Sequence, residues 1–247
     1  MKSIAFFNLK GGVGKTAGAV NTAYYATMDG YSTVLWDLDA QGAASWYLLG
    51  ERQRQPGMEK IWSQKAPISK VIKETPYEGL DVIGSAFSNR NADVFLSELG
   101  LRRMLLKRLA APLEENYDLL ILDCPPSLSR LTEQIFHACD AVIMPLIPTP
   151  LSLRAYVQVR DFMDKAGRVE TPLLPYFSMV DRRKRLHREW LEKPPKELKK
   201  RLKTYIPYAS NIEQMGLRQA PVGVYAHSDV GGQAMYALWR EIKRRVK

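Results

Sequence analysis

Lys10-Gly11-Gly12-Val13-Gly14-Lys15-Thr16 decides the reading of this chain. It follows the short apolar run Ile4-Ala5-Phe6-Phe7 and precedes Ala17 to Met28, which is rich in Ala and Tyr. The run before reads as a buried strand and the stretch after as a helix packed at close range. Strand, glycine loop, helix is the context that a phosphate-binding loop needs. Glycines let the backbone curl until several N–H groups point at one anion. The helix N-terminus adds partial positive charge, and Lys15 brings a full charge to the outer phosphates. Thr16 offers a hydroxyl to Mg²⁺. The loop residues expected on the nucleotide are Gly11, Gly12, Val13, Gly14, Lys15, Thr16 and Ala17.

The pattern departs from the ordinary G-x-x-x-x-G-K-[ST] loop, because Leu9 stands where the first glycine belongs. A second lysine, Lys10, stands at the loop entrance, and two lysines on one small loop repel each other unless both meet phosphate. K-G-G-V-G-K-T resembles the deviant Walker A loop of the ParA/MinD family of ATPases. The resemblance implies an α/β P-loop NTPase in a single domain spanning residues 1–247, with a mostly parallel twisted sheet and helices on both faces. ATP and Mg²⁺ are the cofactors it implies. In that family the first lysine reaches the nucleotide of a partner subunit, so Lys10 would stabilise charge in trans across an ATP-dependent homodimer. Ala17 replaces the threonine that usually follows the Mg²⁺ ligand.

Three further markers fit this frame. Thr33-Val34-Leu35-Trp36 reads as a strand running into Asp37-Leu38-Asp39-Ala40-Gln41-Gly42, and carboxylates at such a strand end sit where open parallel sheets bind ligands. By resemblance to the family's D-x-D-P-Q-G, Asp39 orients the attacking water and Asp37 lies near the Mg²⁺ shell. Tyr117-Asp118-Leu119-Leu120-Ile121-Leu122-Asp123 is a Walker B arrangement, with Asp123 on the metal, followed by Cys124-Pro125-Pro126-Ser127. Residues past two later strands border adenine in the family. Here these are Met179 and Asp181, after a strand from Leu173 to Val180, and Pro207, after a strand from Lys203 to Ile206. Pro175 is expected to hold the start of the Leu173 strand outside the ladder.

Helices are expected over Leu99 to Leu113, Leu151 to Lys165 (with apolar residues at Leu153, Val157 and Phe162) and Gln233 to Val246. Around Leu186, Trp190 and Leu191 another helix is expected, stopped by Pro194-Pro195, with a further one at Leu198 and Leu202. Residues 43–78 are weakly patterned.

The chain has 247 residues and a net charge of +10. No apolar run is long enough to span a bilayer, and no signal peptide is read at the N-terminus. The two cysteines, Cys124 and Cys139, read as reduced structural thiols of a cytoplasmic protein.

The positive charge is localised: residues 182–203 hold 11 basic and three acidic side chains, and a second excess lies on the C-terminal helix. Such a patch suggests a polyanionic partner, with DNA contacted non-specifically by Arg182, Arg183, Lys184, Arg185, Arg188, Lys199, Lys200, Arg201, Lys203 and Arg244. The family resemblance adds a cargo-bound protein that stimulates hydrolysis, and a nucleoid location. A second expectation is a membrane-associated ATPase like MinD, its last helix a basic amphipathic anchor. A third is a metabolic relative: an iron–sulfur reductase component, for which Cys124 is poorly placed, or a biotin-pathway ligase-like enzyme, for which no marker is present.

Overall fold

The apolar run before the glycine loop forms β1 (Lys2–Phe6), whose last four residues are buried. The computed structural model describes residues 1–50, 58–85, 104–165 and 170–246. Its strands continue with β2 (Thr33–Asp37), β3 (Ile72–Glu74), β4 (Leu80–Ile83), β5 (Leu119–Asp123), β6 (Ala141–Leu146), β7 (Leu173–Val180) and β8 (Tyr205–Pro207). They make one sheet in the order β3-β4-β2-β5-β1-β6-β7-β8, parallel throughout except for the antiparallel β3–β4 edge.

Side chains alternate across this sheet, as its pleat requires. Ile4, Phe6, Leu35 and Ile121 point to one face, and Ala5, Phe7, Trp36 and Leu122 to the other. A parallel sheet covered on both faces is built from such near-continuous apolar runs. The first face is covered by α1 (Lys15–Met28), α2 (Ala43–Leu49) and a long C-terminal helix, and the second by α3 (Met58–Trp62), α4 (Leu105–Ala110), α5 (Arg130–Ala138) and α6 (Pro150–Lys165). Then come α7 (Arg185–Glu192), three four-residue helical turns (Ser210–Glu213, Met215–Arg218 and Val222–Tyr225) and the C-terminal helix, α8 (Val230–Arg245).

Expectations are corrected at the start of β7, at the start of β8 and after Pro195. The start of β7 is inside the ladder: Leu173, Leu174 and Pro175 pair with Val142, Ile143 and Met144 of β6. β8 begins only at Tyr205, and opposite Pro175 it is the loop residue Leu202 that donates its N–H to the Pro175 carbonyl at 2.8 Å, so the missing proline N–H faces no strand. On α6, Leu153, Val157 and Phe162 pack half-buried against the core, beside the buried Ser152, Ala155, Tyr156, Val159 and Met163. The helix expected at Leu198 and Leu202 is one 3₁₀ turn, Lys196–Leu198, although both leucines are buried. Of the helix expected over Leu99 to Leu113, residues 99–103 lie outside the described residues, and the rest is α4 followed by the 3₁₀ turn Ala111–Glu115.

In the strand order β1 sits between β5 and β6, where the chain's progress across the sheet reverses. The crevice outside the carboxyl ends of the strands at such a switch point is where open α/β sheets take ligands.

Candidate functional site

The glycine loop fills that crevice. Gly12 and Gly14 take φ of 69° and 93°, a left-handed backbone that other residues resist, and a Cβ on Gly14 would come within 2.9 Å of the Ser178 Oγ. The loop is pinned by a residue that sequence reasoning passed over. Buried Asn8 donates from Nδ2 to the Pro145 carbonyl at 2.6 Å, and its Oδ1 accepts from the Lys10 backbone N–H at 2.9 Å. Its only signal in the sequence was an amide directly after an apolar strand. Lys15 is buried and donates to the Lys10 carbonyl at 3.3 Å. Gly14 caps α1 with no side-chain acceptor, and the first turn carries no acidic residue. The helix therefore presents free N–H groups and a buried ammonium to an anion.

Lys10 is different. Its backbone is held at both its N–H and its carbonyl, yet among the described residues its ammonium meets no partner.

Register places the acidic residues. Asp123 at the end of β5 lies opposite Phe6 of β1 and Asp37 of β2. Both carboxylates are fully buried, and both titrate well above the usual carboxylate range because burial disfavours their charge. For Asp123 the neighbouring Asp37 adds to this, while the Thr16 hydroxyl and the Lys15 ammonium oppose it. Asp37 is committed to the following loop: its Oδ2 accepts from the Ser45 N–H at 2.8 Å and hydroxyl at 2.7 Å, and its Oδ1 from the Asp39 N–H at 3.2 Å. Asp123 has no such set: no backbone or side-chain donor meets either oxygen in good hydrogen-bond geometry, and the Thr16 hydroxyl and Lys15 ammonium are the groups near it that favour its charge. A buried carboxylate left this way is costly unless a cation meets it. The acceptor-only Asp123 beside the Thr16 hydroxyl suits a hard divalent ion such as Mg²⁺. Asp39, half-buried, accepts from the Gln41 N–H at 3.0 Å, and its carbonyl from the Ser85 hydroxyl at 2.6 Å.

A cavity of about 240 Å³ opens from the loop at Gly12, Gly14, Lys15 and Thr16 and runs toward the ends of β7 and β8. Met179 and Pro207 line it. Asp181 does not. Its two oxygens accept from the Arg183 guanidinium, each at 2.9 Å, and this hydrogen-bonded pair holds the carboxyl down at about 2. Tyr208 and Glu213, which the sequence did not single out, line the cavity instead.

The basic segment divides into committed and uncommitted charges. Arg185 pairs with Glu189 at 2.6 Å, Arg188 donates to the Arg182 and Arg183 carbonyls, and Arg201 lies 5.2 Å over the Phe177 ring. Arg182, Lys184, Lys199, Lys200, Lys203 and Arg244 are exposed and outside any ion pair among the described residues. Two elements bring the last four together. Glu241 of α8 accepts from the Lys203 and Thr204 N–H groups at 2.7 and 2.8 Å, and Arg245 reaches the Lys200 carbonyl at 3.4 Å.

The apolar face of α8 is spent on the core. Trp239 is buried with its Nε1 donating to Asp29 at 2.9 Å, and Lys243 pairs with the same carboxylate at 3.1 Å. An anchor that lies in a membrane needs that face free. No described helix is long and apolar enough to cross a membrane. Both cysteines are free thiols, and both are buried.

The sequence and the fold have known relatives. A family model described as an AAA domain matches residues 1–172. The sporulation initiation inhibitor protein Soj of Bacillus subtilis is 30% identical, over 98% of this chain and 98% of its own length. The chain belongs to the ParA/MinD family of ATPases. The chromosome partitioning protein ParA of Caulobacter vibrioides is 29% identical to this ParA-family chain, over 99% of it and 95% of its own length. The structure of cobyrinic acid a,c-diamide synthase from Mycobacterium smegmatis, with bound ADP and magnesium, matches with a TM-score of 0.83. It covers 99% of the ParA-family chain and 95% of its own at 24% identity, a likeness of fold.

Proposed function

We propose that the protein is a ParA-type positioning ATPase: it binds ATP, closes as a homodimer, holds DNA without reading its sequence, and releases it on hydrolysis. The observation that carries this is Lys10, whose backbone is held at the loop entrance while its ammonium meets no partner among the described residues. A charge so placed suits the phosphates of a nucleotide bound to a second copy. The loop N–H groups and Lys15 bind the phosphates, and the cavity toward Met179 and Pro207 takes the base. Mg²⁺, held at Thr16 and Asp123, would screen the phosphate oxygens when bound. Asp39 orients a water whose oxygen bonds to the γ-phosphorus as the bond to the bridging oxygen breaks, giving ADP, phosphate and a proton. Lys15 and the partner's Lys10 stabilise the charge that develops.

Dimerisation switches DNA binding because phosphate contacts add on one duplex. Two patches of about three contacts each give a salt slope near −5, about a thousandfold loss of affinity between 50 and 200 mM salt; one patch alone is far weaker. The uncommitted cluster of Lys199, Lys200, Lys203 and Arg244 supports that surface. A cargo-bound partner that stimulates hydrolysis would convert this switch into movement over a nucleoid, in keeping with relatives named for chromosome partitioning. Cargoes of this kind include plasmids, chromosome origins and protein assemblies such as carboxysomes or chemoreceptor clusters.

Replacing Lys199, Lys200 and Lys203 together by Ala tests the surface. The slope of log affinity against log salt, measured with ATP by fluorescence anisotropy on duplex DNA, should fall by about 0.9 per lost contact. Arg185→Ala, which removes a charge already paired with Glu189, should leave it near the wild-type value. An unchanged slope in the triple variant would move the DNA surface elsewhere.

A further inference from the structure

The base end of the cavity holds one charged group that no part of the mechanism uses. Among the described residues lining the cavity, Glu213 is the only carboxylate. Around it the walls are apolar: Met179, Ile206, Pro207, Ile212 and Met235. β1 and β8 are separated by β6 and β7, three strand spacings of about 4.8 Å, so the cavity leads from the phosphate cradle to Glu213 across roughly 14 Å of sheet. A nucleotide with its phosphates at Lys15 would carry its base toward this carboxylate.

The turn that carries Glu213 is fixed from several sides. Gln214 donates its N–H to the Ser210 carbonyl at 3.0 Å and Ile212 to that of Ala209 at 3.1 Å. The Tyr225 hydroxyl holds the Asn211 carbonyl at 2.6 Å. Tyr208 lines the same cavity as Glu213, and the carboxylate raises the phenol above its ordinary range. A carboxylate accepts through about four lone-pair sites, so one neighbouring phenol does not saturate it. An ionised carboxylate can accept and cannot donate. Facing a base, it favours an edge that bears N–H groups and penalises one that presents only acceptors.

We propose that Glu213 is a specificity-determining residue of the nucleotide site: lining the cavity with Tyr208, it accepts a hydrogen bond from the exocyclic amino group of the base. Asp181, which the sequence placed beside the base, is paired with Arg183 and does not line the cavity. This inference rests on the nucleotide-binding reading above.

The test compares ATP with purine riboside triphosphate, which has the same ring without the 6-amino group, by competition against a fluorescent ATP analogue on the full chain. A hydrogen bond to a charged acceptor at a solvent-accessible rim should make ATP bind about 10-fold more tightly than the deaminated analogue in the wild type. In Glu213→Ala the two should bind within about twofold, through loss of ATP affinity rather than gain for the analogue. Glu213→Gln keeps one acceptor and should restore part of the gap. Tyr208→Phe, which removes the neighbouring hydroxyl, should fall between wild type and Glu213→Ala. A gap that persists in Glu213→Ala would overturn this assignment alone. A wild type that binds neither triphosphate would overturn the nucleotide reading, and the assignment with it.

Discussion

Asp39→Ala is expected to leave ATP bound and to lower turnover by on the order of 10²- to 10⁴-fold, the range that a group positioning the reactive proton or water contributes. The two effects separate because Asp39 holds none of the cradle. Its backbone is fixed by Asp37 and Ser85, its side chain caps the Gln41 N–H, and the glycine loop is pinned independently through Asn8. Removing the carboxylate costs one exposed-loop hydrogen bond and keeps the phosphate site. With hydrolysis stalled, the ATP-bound dimer should accumulate. Phosphate release and size-exclusion chromatography with ATP check both halves. A variant that stays monomeric with ATP would mean that Asp39 does something other than act in hydrolysis.

Lys10→Ala should be as damaging by a different route. A positive charge supplied across an interface to a transferring phosphoryl group contributes on the order of 10³- to 10⁵-fold in turnover, and here it is also the clamp. The variant should lose ATP-dependent dimerisation and most of its turnover while ATP affinity changes only a few-fold. The loop shape does not depend on that side chain, because Asn8 and Lys15 hold Lys10 by its backbone. Lys15→Ala is the contrast, with nucleotide affinity itself lost. Equal loss of affinity and dimerisation in Lys10→Ala would place its ammonium on the nucleotide of its own subunit.

How much of this was legible in the sequence depended on how local the determinant was. The loop, its two lysines, and the aspartates closing β2 and β5 are read from a few consecutive residues, and the structure brings Lys15, Thr16, Asp37 and Asp123 together at one crevice. The parallel strands were legible because a strand buried on both faces is a continuous apolar run. What failed was set by distant partners. Pro175 looked like a ladder breaker, but whether a proline is tolerated depends on the strand beside it, and β8 had not yet begun. Asp181, expected beside adenine, instead pairs with Arg183 two residues on and does not line the cavity. Glu213 reads as an ordinary polar residue in a short turn and gains meaning only from the cavity that β7 and β8 close. The charge count of residues 182–203 located the basic segment but could not say that Arg185, Arg188 and Arg201 are bound within the fold.

The proposal's central claim is that the γ-phosphate joins two copies and that only the joined pair carries enough positive charge to stay on DNA. The most direct test is retention of the wild-type protein on non-specific duplex DNA at about 150 mM salt, measured with no nucleotide, with ADP and with ATP. Retention should be strong with ATP alone and collapse as ATP is consumed. Equal retention in all three states would contradict the account.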